Sequence, residues 1–378
     1  MDAVHDQAAA DACFGARPSD PPVVDVQTHL VDAARFAGPG GAALDAFLRM
    51  VDPQRWGDGV DARELTAARW AAHVFGGSET AVALLTALPG LPDQRVLAND
   101  EIAACRDLVD RYGGTGRLLT HTIVHPNLDD ELSRLAVWRD ELRPSAWKVY
   151  TLWGPGGAGG WFLDDEVGHA FLERVREVGP RIVCAHKGIA GPVPDATPAA
   201  SSPRDVGPAA RAFPDVQFVV YHSGYDVDPH GEEGPETEGR GVGRLVESLR
   251  GAGIGPGANV WAELGSTWFL VVRRPREAAH VLGKLLVAVG EDRVLWGTDS
   301  IWYGPPQYLL DAFRVFGIPE WMQEEFGYPP LTPAVKAKIL GGNAAALYDL
   351  DLTRVAGEEP GRRAWVDGLR AELRARFG

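Results

Sequence analysis

Two stretches of the sequence decide the fold: RIVCA, residues 181–185, and VQFVVY, residues 216–221. Each is a short apolar run rich in β-branched or aromatic residues, and a histidine follows each run directly. Runs of this length and composition are typical of buried parallel strands. Similar runs occur at residues 22–26, 81–88, 117–124, 146–150, 259–263 and 293–298.

The segments between these runs have the apolar spacing of helices. From the third run onward, the interval is that of a βαβ unit, which takes roughly 30 or more residues. Eight strands that alternate with helices predict an α/β fold of the (β/α)₈ TIM-barrel type with long βα-loop insertions. An open doubly wound sheet is the alternative, but no GxGxxG turn follows the first run. The clearest helical segments are residues 99–112, 129–141, 164–178, 243–251 and 275–289.

The composition excludes several classes of protein. The 378 residues are 45% hydrophobic and 24% charged, and 37 basic against 52 acidic residues give a net charge of −15. This excess of acid argues against a nucleic acid or an anionic membrane as a partner. The sequence has no apolar run long enough to cross a membrane and no signal-peptide pattern. Three scattered cysteines (Cys13, Cys105 and Cys184) argue against a disulfide framework and favour the reducing cytoplasm.

We expect three segments: a flexible arm at residues 1–20, a TIM-barrel catalytic domain at 21–350, and a C-terminal surface helix within 351–378. Two long insertions, at residues 31–80 and 188–205, follow the first and fifth strands, where βα loops build the pocket of a barrel. The Gly-rich stretch at 153–162 is a further candidate for a mobile loop at the same end.

Polar side chains end most of the predicted strands. In a barrel these ends converge on one mouth, so imidazoles and carboxylates there indicate a metal site of nitrogen and oxygen ligands. His121 and His125, beside the third strand, are expected to be core or supporting residues. The candidate metal ligands are Gln27, His29, His186, His222, Glu263 and Asp299, and Lys148 and Lys187 lie at the same strand ends.

Aromatic residues follow several of the same strands. Trp153, Trp268 and Trp302, together with Lys187, are therefore candidates for the substrate pocket. Ligand pockets are lined mainly by apolar and aromatic groups. We expect a hydrophobic small-molecule substrate, and the sequence leaves a homodimer open.

Five short motifs carry a family resemblance. DVQTHL, AHKG, YHSG, NVWAEL and WGTDS resemble, in this order, the amidohydrolase-related TIM barrels of the second type, over residues 23–348. That family includes decarboxylases and hydrolases of aromatic or unsaturated acids. The resemblance implies metal binding by His29, His186 and Asp299, with His222 as a ligand or as a catalytic acid or base.

One position departs from the family. The family usually has His-x-His after the first strand, whereas this chain has Gln27 before His29. An amide oxygen is an acceptable donor for iron or manganese and a poorer one for zinc. Lys148 could be a structural cation, a partner of a carboxylate, or a carbamylated bridge between two metals. The six candidate ligands suffice for two ions.

With this departure, the sequence resembles one branch of the family, the TIM-barrel non-haem diiron monooxygenases of platensimycin and platencin biosynthesis. That resemblance implies two Fe, O₂ as co-substrate, and hydroxylation of a bulky diterpenoid, with His222, Asp299 and Lys148 as catalytic residues. The alternative is a mononuclear Zn or Mn hydrolase or non-oxidative decarboxylase in which Asp299 or His222 is the general base. A barrel that has lost its site is the third hypothesis.

Overall fold

The chain folds around eight strands that are all parallel and pair in sequence order. The computed structural model describes residues 20–30, 66–91, 95–157, 159–191, 193, 195–226, 232–235, 239–355 and 363–377. The predicted TIM barrel is confirmed, and each strand lies within a few residues of its predicted bounds. The strands are β1 (Val23–His29), β2 (Thr80–Thr86), β3 (Leu118–Ile123), β4 (Ala146–Tyr150), β5 (Ile182–His186), β6 (Gln217–Tyr221), β7 (Val260–Glu263) and β8 (Val294–Leu295).

Helices follow the strands and cover the barrel. The five clearest helical segments of the sequence are all present, whereas several short helices were not predicted, because five to nine residues give too little periodicity. The helices are α1 (Ala67–Ala71), α2 (Asn99–Arg111), α3 (Glu131–Leu142), α4 (Glu166–Val178), α5 (Val206–Ala212), α6 (Gly243–Ala252), α7 (Thr267–Val271), α8 (Pro275–Val289), α9 (Gln307–Val315), α10 (Glu320–Phe326), α11 (Pro333–Ala337), α12 (Asn343–Tyr348) and α13 (Ala364–Phe377).

The seam between β1 and the last strand closes the barrel. Strand β8 is shorter than the predicted run at 293–298, because the backbone nitrogen of Trp296 donates to Ile339 rather than to β7. The chain beyond β8 pairs with β1 instead: Val26 N donates to Trp296 O at 3.0 Å, and Asp299 N donates to Gln27 O at 2.9 Å. The buried carboxyl of Asp25 accepts from both the nitrogen and the hydroxyl of Thr298.

The ends of the chain are only partly described. The predicted arm lies outside the described residues except for Asp20, and so do residues 31–65 of the first insertion. The C-terminal helix is present as α13, and its Leu369, Leu373 and Phe377 are buried. The boundaries of the three expected segments stay a prediction. Among the described helices, none combines the length and the apolar character needed to cross a bilayer.

Helices α5 and α6 approach each other closely at Gly207. A Cβ atom at this position would lie 2.1 Å from the backbone oxygen of Ser248, so Gly207→Ala must push the two helices apart. We expect a loss of about 1–3 kcal/mol in the free energy of unfolding, measured by urea denaturation. The control is Gly251→Ala on exposed α6 surface, where nothing lies within 4 Å. That variant should be neutral or gain up to about 1 kcal/mol, and equal losses in both variants would contradict the packing argument.

Candidate metal centre

The barrel brings six of the sequence-predicted residues to one end. Each is 7% exposed or less. Asp299 Oδ1 lies 3.0 Å from His29 Nε2 and accepts from Gln27 Nε2 at 2.8 Å. The other residues of the group are His186, His222 and Glu263, which end or follow β5, β6 and β7.

The backbone is strained where the last three strands end. His222, Ser223, Ser266 and Asp299 all have a positive φ, between 51° and 62°. Side chains other than glycine rarely adopt this conformation, and such residues concentrate at functional sites. The strain therefore marks the same end of the barrel that the polar residues occupy.

Backbone carbonyls fix a hydrogen on one ring nitrogen of each histidine in the group. His29 Nδ1 lies 3.1 Å from Thr86 O, His186 Nε2 lies 2.6 Å from Ile189 O, and His222 Nδ1 lies 2.7 Å from Gly265 O. Because a carbonyl can only accept, each of these nitrogens must carry a hydrogen. In His186 and His222 the other ring nitrogen then has a bare lone pair, whereas Nε2 of His29 donates to Asp299 Oδ1. Histidines that bind metals are usually held in this way.

The two bare nitrogens face each other. His186 Nδ1 and His222 Nε2 lie 3.2 Å apart. Burial lowers the pKa of both imidazoles, to about 4 for His222, so both rings are neutral at pH 7. Two opposed lone pairs repel each other unless a cation lies between them. A cation that contacted both nitrogens would remove this repulsion.

Asp299 is kept ionised at the centre of the group. Burial by itself would raise its pKa, but the hydrogen bond to His29 and the nearby imidazoles outweigh burial and bring the pKa below its usual value. Trp302 Nε1 donates to Oδ1 at 3.2 Å, and the Ser266 hydroxyl donates to Oδ2. Asp299 therefore offers a full negative charge to a cation.

The donor set fits a divalent first-row ion. Three imidazole nitrogens and a carboxylate, with no thiolate, are typical ligands of zinc, manganese or iron. Within the described ranges, no group of three or more His, Cys, Asp or Glu side chains is arranged so that it could hold a metal ion as it stands. Asp299 Oδ1 instead contacts Gln27, His29 and Trp302.

Gln27 and Glu263 form an oxygen-rich corner beside the histidines. Gln27 Oε1 is buried and has no hydrogen-bond partner among the described residues. This oxygen and Glu263 Oε1 would lie 2.2 and 2.5 Å from a Cβ atom at Gly265. Glu263 accepts from the nitrogens of His222 and Gly265, and burial raises its pKa to about 8.

The two lysines lie in different surroundings. Lys148 is buried inside the barrel with its Nζ 3.4 Å from the ring centroid of Tyr221, and burial lowers its pKa to about 7. Lys187 forms an ion pair with Asp205 at 2.6 Å, and both side chains are fully buried. Lys187 therefore braces the loop after β5, whereas the sequence suggested a contact with substrate.

The three tryptophans predicted for the substrate pocket also lie in different surroundings. Trp302 stacks on His29, with ring centroids 5.3 Å apart, and lies at the site. Trp153 packs edge-on against His125. Trp268 donates to Leu309 O and packs against Phe313, so it belongs to the contact between α7 and α9 rather than to the ligand group.

Sequence reasoning missed Ser266 as a contact of Asp299. A serine three residues past a strand end carries no motif, and its strained φ is visible only in the structure. His121 contacts the hydroxyl of Tyr221 at 3.1 Å inside the barrel, as expected for a core histidine.

One protein-family model matches this chain. The model of the amidohydrolase type 2 family matches residues 24–350, most of the chain. The chain belongs to the amidohydrolase family. Family members include metal-dependent decarboxylases and hydrolases. This agrees with the resemblance carried by the five sequence motifs.

Several solved structures share the fold of this chain. One is an uncharacterized TIM-barrel protein from Bordetella bronchiseptica, with 13% identity over 86% of this chain and 98% of that one and a TM-score of 0.54. The 5-carboxyvanillate decarboxylase of Novosphingobium aromaticivorans, complexed with manganese, has 14% identity over 89% and 98%, with a TM-score of 0.55.

A dihydroxybenzoic acid decarboxylase from Polaromonas sp. JS666, with bound manganese, has 14% identity over 89% and 100% and a TM-score of 0.50. At these identities the likeness shows the fold alone. A search of curated proteins finds no match to this chain.

A buried ion pair supports the end of β3 beside the site. Arg95 Nη2 contacts Glu131 and lies 2.8 Å from His125 Nδ1, and Glu131 also accepts from His125 N. Glu131→Gln leaves the guanidinium without its counter-charge, so we expect a loss of about 3–5 kcal/mol in the free energy of unfolding. Glu177→Gln, in an exposed pair with Arg174, should change it by less than about 1 kcal/mol in the same urea titration. Similar losses of unfolding free energy in the two variants would show that the buried pair stabilises the protein no more than the exposed pair does.

Proposed function

We propose that this chain is a metal-dependent amidohydrolase-family enzyme that decarboxylates or hydrolyses an aromatic or unsaturated acid without O₂, using one Mn²⁺ or Zn²⁺. The observation that carries the proposal is the pair of bare nitrogens on His186 and His222, opposed at 3.2 Å. The family and the manganese-bound decarboxylases with the same fold support it. They favour this reaction over the diiron oxygenase that the sequence first suggested.

His29, His186, His222 and Asp299 would hold the ion. It would supply Lewis-acid chemistry by polarising an oxygen of the substrate. His186 and His222 would bind without losing a proton, because the carbonyls of Ile189 and Gly265 keep the hydrogen on the far nitrogen of each ring. These two donors are therefore ready at neutral pH, whereas His29 Nε2 would first have to give up its hydrogen bond to Asp299.

Asp299 is the candidate for proton transfer. It is ionised, and donors contact both of its oxygens. In decarboxylation the C–C bond breaks, CO₂ leaves, and the carbon that keeps the electron pair takes up a proton. A carboxylate at the metal can accept a proton from the substrate and return it to that carbon.

Aromatic rings shield the ligand group. Trp302 stacks on His29, and Tyr150 stacks on His186 with ring centroids 4.7 Å apart. The rings hold the imidazoles in place and keep water from them. Flat apolar surfaces of this kind suit a planar unsaturated substrate.

A non-haem diiron monooxygenase is the second candidate. The observation that favours it is the corner where Gln27 Oε1 and Glu263 Oε1 face the same point beside Gly265. These are oxygen donors of the kind that iron accepts. In this case Lys148, beneath the ligands, would belong to the second metal position.

Metal content separates the two candidates. We expect one Mn or Zn per chain by elemental analysis of the as-isolated protein. His186→Ala and Asp299→Ala should each lose the metal, since each removes a donor from the proposed set. His169→Ala, on the exposed surface of α4, should retain it. Two Fe per chain would favour the oxygenase, and full occupancy in the His186 or Asp299 variant would contradict the ligand set.

Activity gives the second test. Under anaerobic conditions, the Mn²⁺-loaded protein should release CO₂ from, or hydrolyse, members of a panel of hydroxylated aromatic and unsaturated acids. Asp299→Asn removes the charged proton acceptor, so we expect a rate at least about 100-fold lower. Asp311→Asn, at a carboxylate bonded to Gln307, is the matched control and should keep the wild-type rate. A strict requirement for O₂ would contradict the non-oxidative reaction.

A further inference from the structure

We propose that Ser266 and Tyr303 are positioning residues of this enzyme, whose two hydroxyls hold the carboxylate of Asp299 in the orientation that the metal and the substrate need. The inference rests on the proposed function, because it concerns the same carboxylate. Neither residue belongs to the predicted ligand set.

The two hydroxyls form a chain that ends on Asp299. The Ser266 hydroxyl donates to Asp299 Oδ2, and the hydroxyl of Tyr303 lies 2.7 Å from Ser266 Oγ. All three side chains are buried. The other carboxylate oxygen, Oδ1, receives the contacts from Gln27, His29 and Trp302. The two hydroxyls therefore act on Oδ2, whereas these three residues contact Oδ1.

The direction of the chain follows from its donors. An ionised carboxylate can only accept, so the hydrogen of Ser266 must point to Asp299. Ser266 has no second hydrogen, and its oxygen must therefore accept from Tyr303. Hydrogen bonds aligned in this way polarise one another, so Tyr303 strengthens the bond from Ser266 to Asp299.

The turn after β7 explains why Ser266 is in place. Ser266 has φ 55° and ψ −39°, a conformation that costs about 1–3 kcal/mol. In this turn the carbonyl of Gly265 lies 2.7 Å from His222 Nδ1, and the hydroxyl of Thr267 donates to His222 O. One strained turn thus orients both His222 and Asp299.

Tyr303 is fixed independently of any ligand. Its ring stacks on Phe269 of α7, with centroids 3.8 Å apart and 13° between the planes. The hydroxyl of Tyr308 donates to the backbone oxygen of Tyr303 at 2.9 Å. Tyr303 is therefore held both at its ring and at its backbone, as a residue that positions another group must be.

The test is Mn²⁺ binding to the metal-stripped full-length protein, by titration calorimetry. Residues that orient a ligand change metal affinity by about 10- to 100-fold. We expect losses in this range for Ser266→Ala and for Tyr303→Phe. The double variant should bind no more weakly than Ser266→Ala, because Tyr303 acts only through Ser266. Tyr112→Phe, at a tyrosine whose hydroxyl donates to Glu372 of α13, leaves the hydroxyl chain and its supports intact and should bind as the wild type does.

Ser266→Gly separates positioning from a purely structural role. Glycine adopts the positive φ without strain, which offsets part of the cost of the lost hydroxyl, so this variant should be more stable to urea than Ser266→Ala and still bind Mn²⁺ more weakly than the wild type. It also keeps the test decisive if Ser266→Ala fails to fold.

Three results would overturn the inference: wild-type affinity in Ser266→Gly, wild-type affinity in Tyr303→Phe, or an undiminished effect of Tyr303→Phe in the Ser266→Ala background. These results differ from failure of the proposed function. In that case the wild-type protein itself would not bind Mn²⁺ at one ion per chain, before any variant is compared.

Discussion

The nitrogens of His186 and His222 lie 3.2 Å apart, and the carbonyls of Ile189 and Gly265 keep the hydrogens on the far side of each ring. This opposition of lone pairs is the constraint on which the rest of the site depends. The neutral rings cannot relieve it by a hydrogen bond to each other in these tautomers. A cation relieves it, and the ionised Asp299 beside them supplies the balancing charge.

The sequence predicted the fold because each strand is an apolar run of the length that a buried parallel strand needs. It predicted the ligand group because His29, His186, His222 and Asp299 all follow such runs, and a barrel brings strand ends together. The metal roles of these residues remain proposals. Only the ends of the strands, β8 above all, differed by more than a residue or two.

Other features depend on contacts that the sequence does not encode locally. Lys187 follows His186 in the sequence. Only the structure shows that its ammonium group forms an ion pair with Asp205, at the far end of the loop. Trp268 follows β7 as a pocket residue would, but α9 covers it. The choice between an oxygenase and a non-oxidative enzyme rests on Gln27 and Glu263, whose oxygens suit more than one metal.

The barrel closes through the same short segment that carries the carboxylate of Asp299. Thr298 is bound by Asp25 of β1, and Asp299 follows it with its nitrogen bonded to Gln27 O. An ion held by Asp299 and His29 would therefore join the first strand to the last, and occupancy of the ligand group would be thermodynamically linked to the integrity of the cylinder.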